Sequence, residues 1–416
     1  MRKLANLFLI LFLVSAVLGV TSELLRIFID VQFLSGFQQL IWVACIGIGS
    51  VVYVGLGFNR HLPKVILIPL FIWLFWSVAD YWPLENFVGE YYPLYAACGQ
   101  LLFAVMILKF NQRMNHKSLL LTQSQFIGPA FSGRNLFRFC LINIPILPLA
   151  LILISYSFVD HLIETNTAGF VQLKPNGLYM TERIYRQGEK QIRLAGMIHL
   201  GQKEYYDDLT ASMPGARTLI LAEGVSDESG LLTERFGYGK IAELLGLTSQ
   251  ENIHFQGRLI EATELETPEP VKQDIPDILR ADIDLKQFDP HTLEVLNALA
   301  KYILNAESLT DGYFEFNRWA QEHITPDTNK IIMEDLIHKR NRSVLSYLPK
   351  GMTRYDTLVI PWGALHMKGI EKAVVEQGFR LEESRERLSI DFLLLPYEKL
   401  WEDLMGIRRS VNKEPY

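Results

Sequence analysis

Cysteine is scarce in this chain. There are three, Cys45, Cys98 and Cys140, and none follows position 140. Their spacing matches no zinc or redox pattern, so they read as small buried hydrophobes. A cysteine-free second half is compatible with an oxidising compartment. Also missing are HExxH, a P-loop, GxGxxG, and GxSxG in a strand–turn–helix setting. The second half lacks a basic surface as well: residues 159–416 carry 30 Lys/Arg against 41 Asp/Glu. That acidic excess speaks against nucleic acid as a partner, because neutralising phosphates needs clustered Lys and Arg.

The first half lacks charge. Residues 1–158 hold 10 Lys/Arg and 5 Asp/Glu, and most of these fall between apolar runs. Five runs approach the roughly 17–25 residues needed to span a bilayer: 4–20, 38–58, 65–82, 92–108 and 139–158. The stretch 24–37 is interrupted by Arg26 and Asp30 and reads as an interfacial helix. Basic residues mark alternate connections. Arg2 and Lys3, then Arg60 and Lys64, then Lys109, Arg113, Lys117, Arg134 and Arg138 read as inside. Glu23 and Asp30, then Glu85 and Glu90, fall on the outside connections. Five crossings place the polar half outside, in an extracytoplasmic (periplasmic) position. Segment 4–20 also suits a cleaved signal peptide; four remaining spans give the same side. Asp80, at a span end, is the nearest ionisable residue to a span interior. A transporter holds intramembrane charges, so this half reads as anchor in the lipid bilayer or as surface for a membrane partner.

A polar linker, 159–167, leads into a domain at 168–396, with 397–416 as a tail. Strands are expected near 178–185 and 191–198, joined by a turn at Gly188, then at 218–222, 252–256 and 357–362. Helices are expected at 202–212, 233–245, 292–307, 329–348 and 369–377, and a closing strand pair near 379–395. The Glu/Pro/Asp-rich segment 261–277 reads as a surface loop or lid. Strands alternating with helices argue an α/β domain with a largely parallel, mixed sheet.

Within it one pattern repeats. Gly196-Met197-Ile198-His199 and Gly363-Ala364-Leu365-His366 each follow a short apolar strand. A Gly at a strand end, at 196 or 363, lets another group approach. Open α/β sheets bind ligands beyond the carboxyl ends of their strands, so His199 and His366 are candidates for one site. Glu223 ends the apolar strand 219–222, and two His with one carboxylate suit Zn²⁺, Mn²⁺, Co²⁺ or Fe²⁺. Arg340 and Asn341 lie along the buried stripe of helix 329–348. A buried Arg needs a partner, either a site carboxylate or a developing oxyanion. Alternation in Asp282-Ile283-Asp284 suggests a short strand with both carboxylates on one face. His254, His291, His323 and His338 have no matching context and read as solvated or capping.

Taken in order, these motifs resemble the TraB/GumN/Tiki group of the EreA/ChaN-like superfamily. The resemblance covers roughly 190–382. It is carried by 194–199, the strand ending in Glu223, 281–284, Arg340-Asn341, and 363–370 including Lys368-Gly369-Ile370. Lys339 stands where the family often has an acidic residue. The resemblance implies an EreA/ChaN-like fold and metal-dependent hydrolysis, peptide cleavage outside the cell in Tiki-like members, with Mn²⁺ or Co²⁺ favoured over Zn²⁺ or Fe²⁺. It makes His199, Glu223 and His366 metal or catalytic positions and Arg340 a catalytic or supporting one, with Asn341, Asp282, Gly196 and Gly363 around them. The expectation is therefore a membrane-anchored metal-dependent protease or peptidase with a peptide or protein substrate. The alternatives are a non-catalytic module binding a peptide, pheromone or haem-like ligand, and a hydrolase of small esters or lactones.

Overall fold

A computed structural model of the chain describes residues 1–29, 33–81, 84, 88–114, 118–234, 236–266 and 274–405. It separates into two compact units, Met1–Val159 and Asp160–Tyr416.

The first unit is helical: Arg2–Ile29, Phe33–Phe58, Lys64–Val78, Tyr92–Met114 and Gly133–Thr167. Among the described residues, four helices are long and apolar enough to cross a membrane: Arg2–Ile29, Leu34–Phe58, Tyr92–Met114 and Gly133–Thr167. At the expected span 65–82 the helix is Lys64–Val78, 15 residues long. It stops because Asp80 and Tyr81 take left-handed φ of 46° and 56°, a conformation that costs a residue with a Cβ about 1–2 kcal/mol. The expected interfacial helix at 24–37 is not a separate element. Its start belongs to Arg2–Ile29 and its end to Phe33–Phe58, while 30–32 lie outside the described residues. Phe8, Phe12, Val52, Leu67 and Leu70 form the unit's core. Buried amides are paired: Asn6 donates to Leu121 O at 3.0 Å and Gln100 donates to Phe12 O at 3.2 Å. Cys45 is buried as expected, but Cys98 and Cys140 are exposed on their helices. On a helix of apolar residues all round, a small thiol faces outward without a polar penalty. The stretch 159–167, expected as a linker, is the helical end of Gly133–Thr167.

The second unit is a mixed α/β domain. Its strands are β1 (Val171–Lys174), β2 (Gly177–Gln187), β3 (Lys190–Met197), β4 (Leu200–Gly201), β5 (Thr218–Ala222), β6 (Thr248–Ser249), β7 (Arg258–Ile260), β8 (Asp277–Arg280), β9 (Thr357–Gly363) and β10 (Arg380–Asp391). The main sheet runs β10-β2-β3-β9-β5-β8-β7, with β1 also on β2, and β4 pairs with β6 apart from it. The contacts β3/β9, β9/β5, β5/β8 and β8/β7 are parallel, and those of β2 are antiparallel. The central strands are sequestered on both faces. Leu219, Leu221, Leu358, Ile360 and Trp362 join the main core, while Ile220, Ile278 and Val359 join a second one. Continuous apolar runs of this kind are what a doubly covered parallel sheet requires.

Some local expectations shift. The helix expected at 233–245 is limited to Gly239–Leu245; Gly237 and Gly239 weaken its expected first turns. Residues 252–256 form no strand, and Arg258–Ile260 does. The lid expected at 261–277 begins as a short 3₁₀ turn, Ala262–Glu266, and 267–273 lie outside the described residues. The closing pair is a single strand, β10, hydrogen-bonded to β2. The tail is helical over Tyr397–Leu404.

Candidate functional site

Four neighbouring parallel strands each deliver one residue past their carboxyl end. In sheet order, β3 is followed by His199, β9 by His366, β5 by Glu223 and β8 by Asp282. The register is tight, with Gly196 opposite Trp362 and Met197 opposite Gly363. Gly196 lies inside β3 rather than at a turn. A Cβ there would come within 3.2 Å of the Phe170 side chain and of Thr181 O, a close approach of layers that a glycine allows without displacement.

Arg340 joins the strand ends. It opens the helix Arg340–Ser346, directly after a π-helical turn at Glu334–Lys339. Its Nε and Nη2 reach Asp282 at 3.0 and 2.7 Å, and Nη2 also donates to Glu223 Oε1 at 2.7 Å. Its Nη1 lies 3.2 Å from His366 Nε2 and 3.5 Å from Leu336 O. The guanidinium plane sits over Trp362, 5.4 Å from the ring. Burial works against the Arg340 charge, but Asp282 and Glu223 outweigh it and its pKa rises. Of the two partners foreseen for Arg340, the carboxylate is the one observed. Its donors are spent on Asp282, Glu223 and His366, so it positions these groups.

Glu223 is fixed from a second side by Gly363 N, which donates to Oε2 at 2.7 Å. Asp282 also accepts from Gly224 N at 3.0 Å and Ile283 N at 2.9 Å. The side chains of Glu223 and Asp282 are 7% and 0% exposed. Residues 282–284 do not form the expected strand. Asp282 follows the end of β8 and serves Arg340. Asp284 instead caps the next turn, accepting from Lys286 N and Ser226 Oγ. The two carboxylates have separate jobs because the chain leaves the sheet between them.

His366 has one readable tautomer. Asn341 Nδ2 donates to the His366 carbonyl at 3.2 Å, so Asn341 Oδ1 faces the ring. That oxygen only accepts, at 2.7 Å from Nδ1, so the proton sits on Nδ1. Nε2 then accepts from Arg340. Burial, followed by the Arg340 charge, pushes the His366 pKa down to about 4, against the pull of Glu223 and Asp282. The 3.6 Å approach of Nε2 to Glu223 is therefore not an ion pair near neutral pH. Gly369 makes the arrangement possible: a Cβ there would lie 2.5 Å from Asn341 Nδ2.

His199 differs from His366. It is exposed, and its ring stacks on Tyr238 at 4.8 Å and 9°. Its carbonyl accepts from Gln250 N at 2.9 Å. It lies near enough to His366 to add to the lowering of that pKa. Tyr238 went unremarked in the sequence, where it fell inside the helix expected at 233–245; it stands instead just before the observed helix Gly239–Leu245. Its pKa is pushed up to about 12, first by burial and then by Glu223. Among the described residues its hydroxyl makes no hydrogen bond. A protonated, unspent donor thus stands beside His199 and within electrostatic reach of Glu223.

The metal implied by the family resemblance needs His199, Glu223 and His366 to face one ion. In the structure Glu223 and His366 face the guanidinium, and His199 faces Tyr238. Among the described residues no group of three or more His, Cys, Asp or Glu side chains is arranged to hold an ion. The residues as arranged do not fit that metal, so no chemical step below runs through one. The cation at the centre of this cluster is Arg340. Comparison with protein-family models, curated proteins and solved structures gives no match.

Proposed function

We propose that the second unit is a hydrolytic domain of a membrane-anchored protein, working outside the cytoplasm on a peptide bond or a related acyl linkage. The supporting observation is that four adjacent strand ends bring His199, His366, Glu223 and Asp282 to one rim of the sheet. The ordered resemblance to the TraB/GumN/Tiki group adds to it. In this reading His199, the exposed imidazole, takes the proton of an attacking water, the commonest role for a histidine in a site. Tyr238 donates to the oxyanion that forms on the carbonyl carbon's oxygen. Collapse of the tetrahedral adduct breaks the acyl bond, and the proton held by His199 passes to the leaving group. Arg340 and the Gly363 amide hold Glu223 in place beside them, and Asn341 fixes the His366 ring.

The test uses the full chain in detergent or nanodiscs against fluorogenic peptides, esters and lactones. His199→Ala is expected to cut turnover by about 10²–10⁴-fold, the range for removing a general base. Chelation is expected to leave turnover unchanged, and its loss on chelation would restore the metal. Turnover that survives His199→Ala would sink the proposal. A second reading, a ligand-binding module, is favoured by the way Arg340 spends its donors internally. Ligand retention without turnover of any substrate class would select it.

A further inference from the structure

The end of the second unit carries an apolar face that the described residues of the unit leave exposed. Tyr397, Trp401, Leu404 and Met405 recur at helical spacing along Tyr397–Leu404 and its cap, each 57–58% exposed. Leu393 and Leu394 precede them, at 82% and 71% exposed. The other side of the helix is packed. Leu400, Glu402 and Asp403 are half-buried, and Asp403 lies 3.5 Å from Thr310 on helix Leu309–His323. One turn on from Thr310, Tyr313 and Phe314 are also exposed. A helix on a globular domain turns its apolar stripe inward and its charges outward. This one leaves Tyr397, Trp401 and Leu404 outward, beside the exposed Glu398 and Lys399, and packs Leu400, Glu402 and Asp403.

We propose that this face docks in the headgroup region of the bilayer in which the chain is anchored. Three observations select lipid as the occupant. Among the described residues the same chain holds four helices long and apolar enough to cross a membrane, so the anchoring they supply brings lipid and this face into one molecule's surroundings. The face is led by a Trp and a Tyr, which favour the membrane–water boundary, alongside Leu and Met. The chain then continues past Met405 for 11 residues with Arg408, Arg409 and Lys413 against one acid, Glu414. Basic residues next to an interfacial helix are attracted to anionic headgroups. The inference needs membrane anchoring and is independent of whether the site hydrolyses anything.

The experiment uses the full chain with Cys45, Cys98 and Cys140 replaced by Ala, reconstituted into phosphatidylcholine/phosphatidylglycerol vesicles. Trp401→Cys, Leu394→Cys and a control, Lys372→Cys on helix Ala364–Glu376, each carry an environment-sensitive fluorophore. Labels at 401 and 394 are expected to shift their emission to the blue and to be quenched by nitroxides placed near the lipid headgroups. The label at 372 is expected to do neither. Leu394→Cys keeps Trp401 in place and decides the matter if the Trp401 variant does not fold. Unquenched labels at 394 and 401 overturn the proposal. A red emission then means open solvent, and a blue one means cover by protein, from a second copy or the chain's own helices. Equal quenching at 372 overturns it too.

Discussion

Arg340 sets the terms for every other residue in the cluster. A single guanidinium serves two buried carboxylates and one neutral imidazole. Deleting it leaves two negative charges in a site less than a tenth exposed. Breaking a buried pair from one side costs about 3–5 kcal/mol, whereas a surface pair is worth about 0–1. Arg340→Met is therefore expected to destabilise the second unit by about 3–5 kcal/mol in denaturant unfolding of the full chain. Arg340→Lys is expected to rescue little, because an ammonium cannot reproduce the fork. A loss under about 1 kcal/mol for Arg340→Met would mean that the network contributes no more than a surface ion pair. Tyr238→Phe isolates a different quantity. It keeps the ring on His199 and removes only the free hydroxyl. If that hydroxyl meets the oxyanion, kcat falls by about 10²–10³-fold with KM nearly constant, as for loss of another oxyanion donor. Wild-type kcat in Tyr238→Phe would leave the tyrosine as a wall for His199 and nothing more.

The elements explain what was legible in the sequence and what was not. Strand ends were legible, because β5 and β9 are continuous apolar runs stopping at Glu223 and Gly363. Both repeats of Gly-x-x-His were legible for the same reason. Arg340 and Asn341 were placed inward from helical spacing alone, and both do face the cluster. The π-helical turn before them leaves no such mark, since a widened turn alters hydrogen bonding without altering the apolar period. Tyr238 was invisible because the helix expected at 233–245 starts only at Gly239, which leaves the tyrosine in the preceding loop. The split roles of Asp282 and Asp284 depend on where β8 ends, which alternation does not reveal. The His366 helix also carries a pH dependence. Its ring is neutral when folded, with a pKa of about 4, and accepts a proton near 6.5 once unfolded. The unfolded chain thus binds more protons between those values, and stability falls as pH drops through that window. Melting of the wild type is expected to decline from about pH 6.5 to about pH 4, more steeply than in His366→Asn. Parallel pH profiles for the two proteins would show that His366 does not titrate this way.

At the scale of the whole molecule, if the four longer apolar helices cross a membrane, one short helix decides which side the second unit occupies. Lys64–Val78 has 15 residues, or about 22 Å at 1.5 Å per residue, against a hydrocarbon core of about 30 Å. If it crosses, there are five crossings and the second unit is outside. If it does not, the remaining four helices return the unit to the side of Arg2 and Lys3. Length alone argues against crossing, but the flanking charges argue for it. Arg60 and Lys64 precede the helix and Glu85 and Glu90 follow it, a change of sign that a non-crossing helix has no reason to show. Without that crossing, the strongly basic connection with Lys109, Arg113, Lys117, Arg134 and Arg138 would also lie outside. The ends can make up the missing length. At its start Lys64 donates to Asn135 Oδ1, while Trp73, Trp76 and Tyr81 cluster toward its other end, with rings 5.3–5.4 Å apart for the Trp73–Trp76 and Trp76–Tyr81 pairs, residue types that favour the membrane–water boundary. Alkaline phosphatase, active only outside the cytoplasm, fused after residue 116 is expected to be inactive, and the same reporter at the C-terminus active. A silent C-terminal fusion with an active one at 116 would leave Lys64–Val78 on one side of the membrane and move the proposed hydrolase into the cytoplasm.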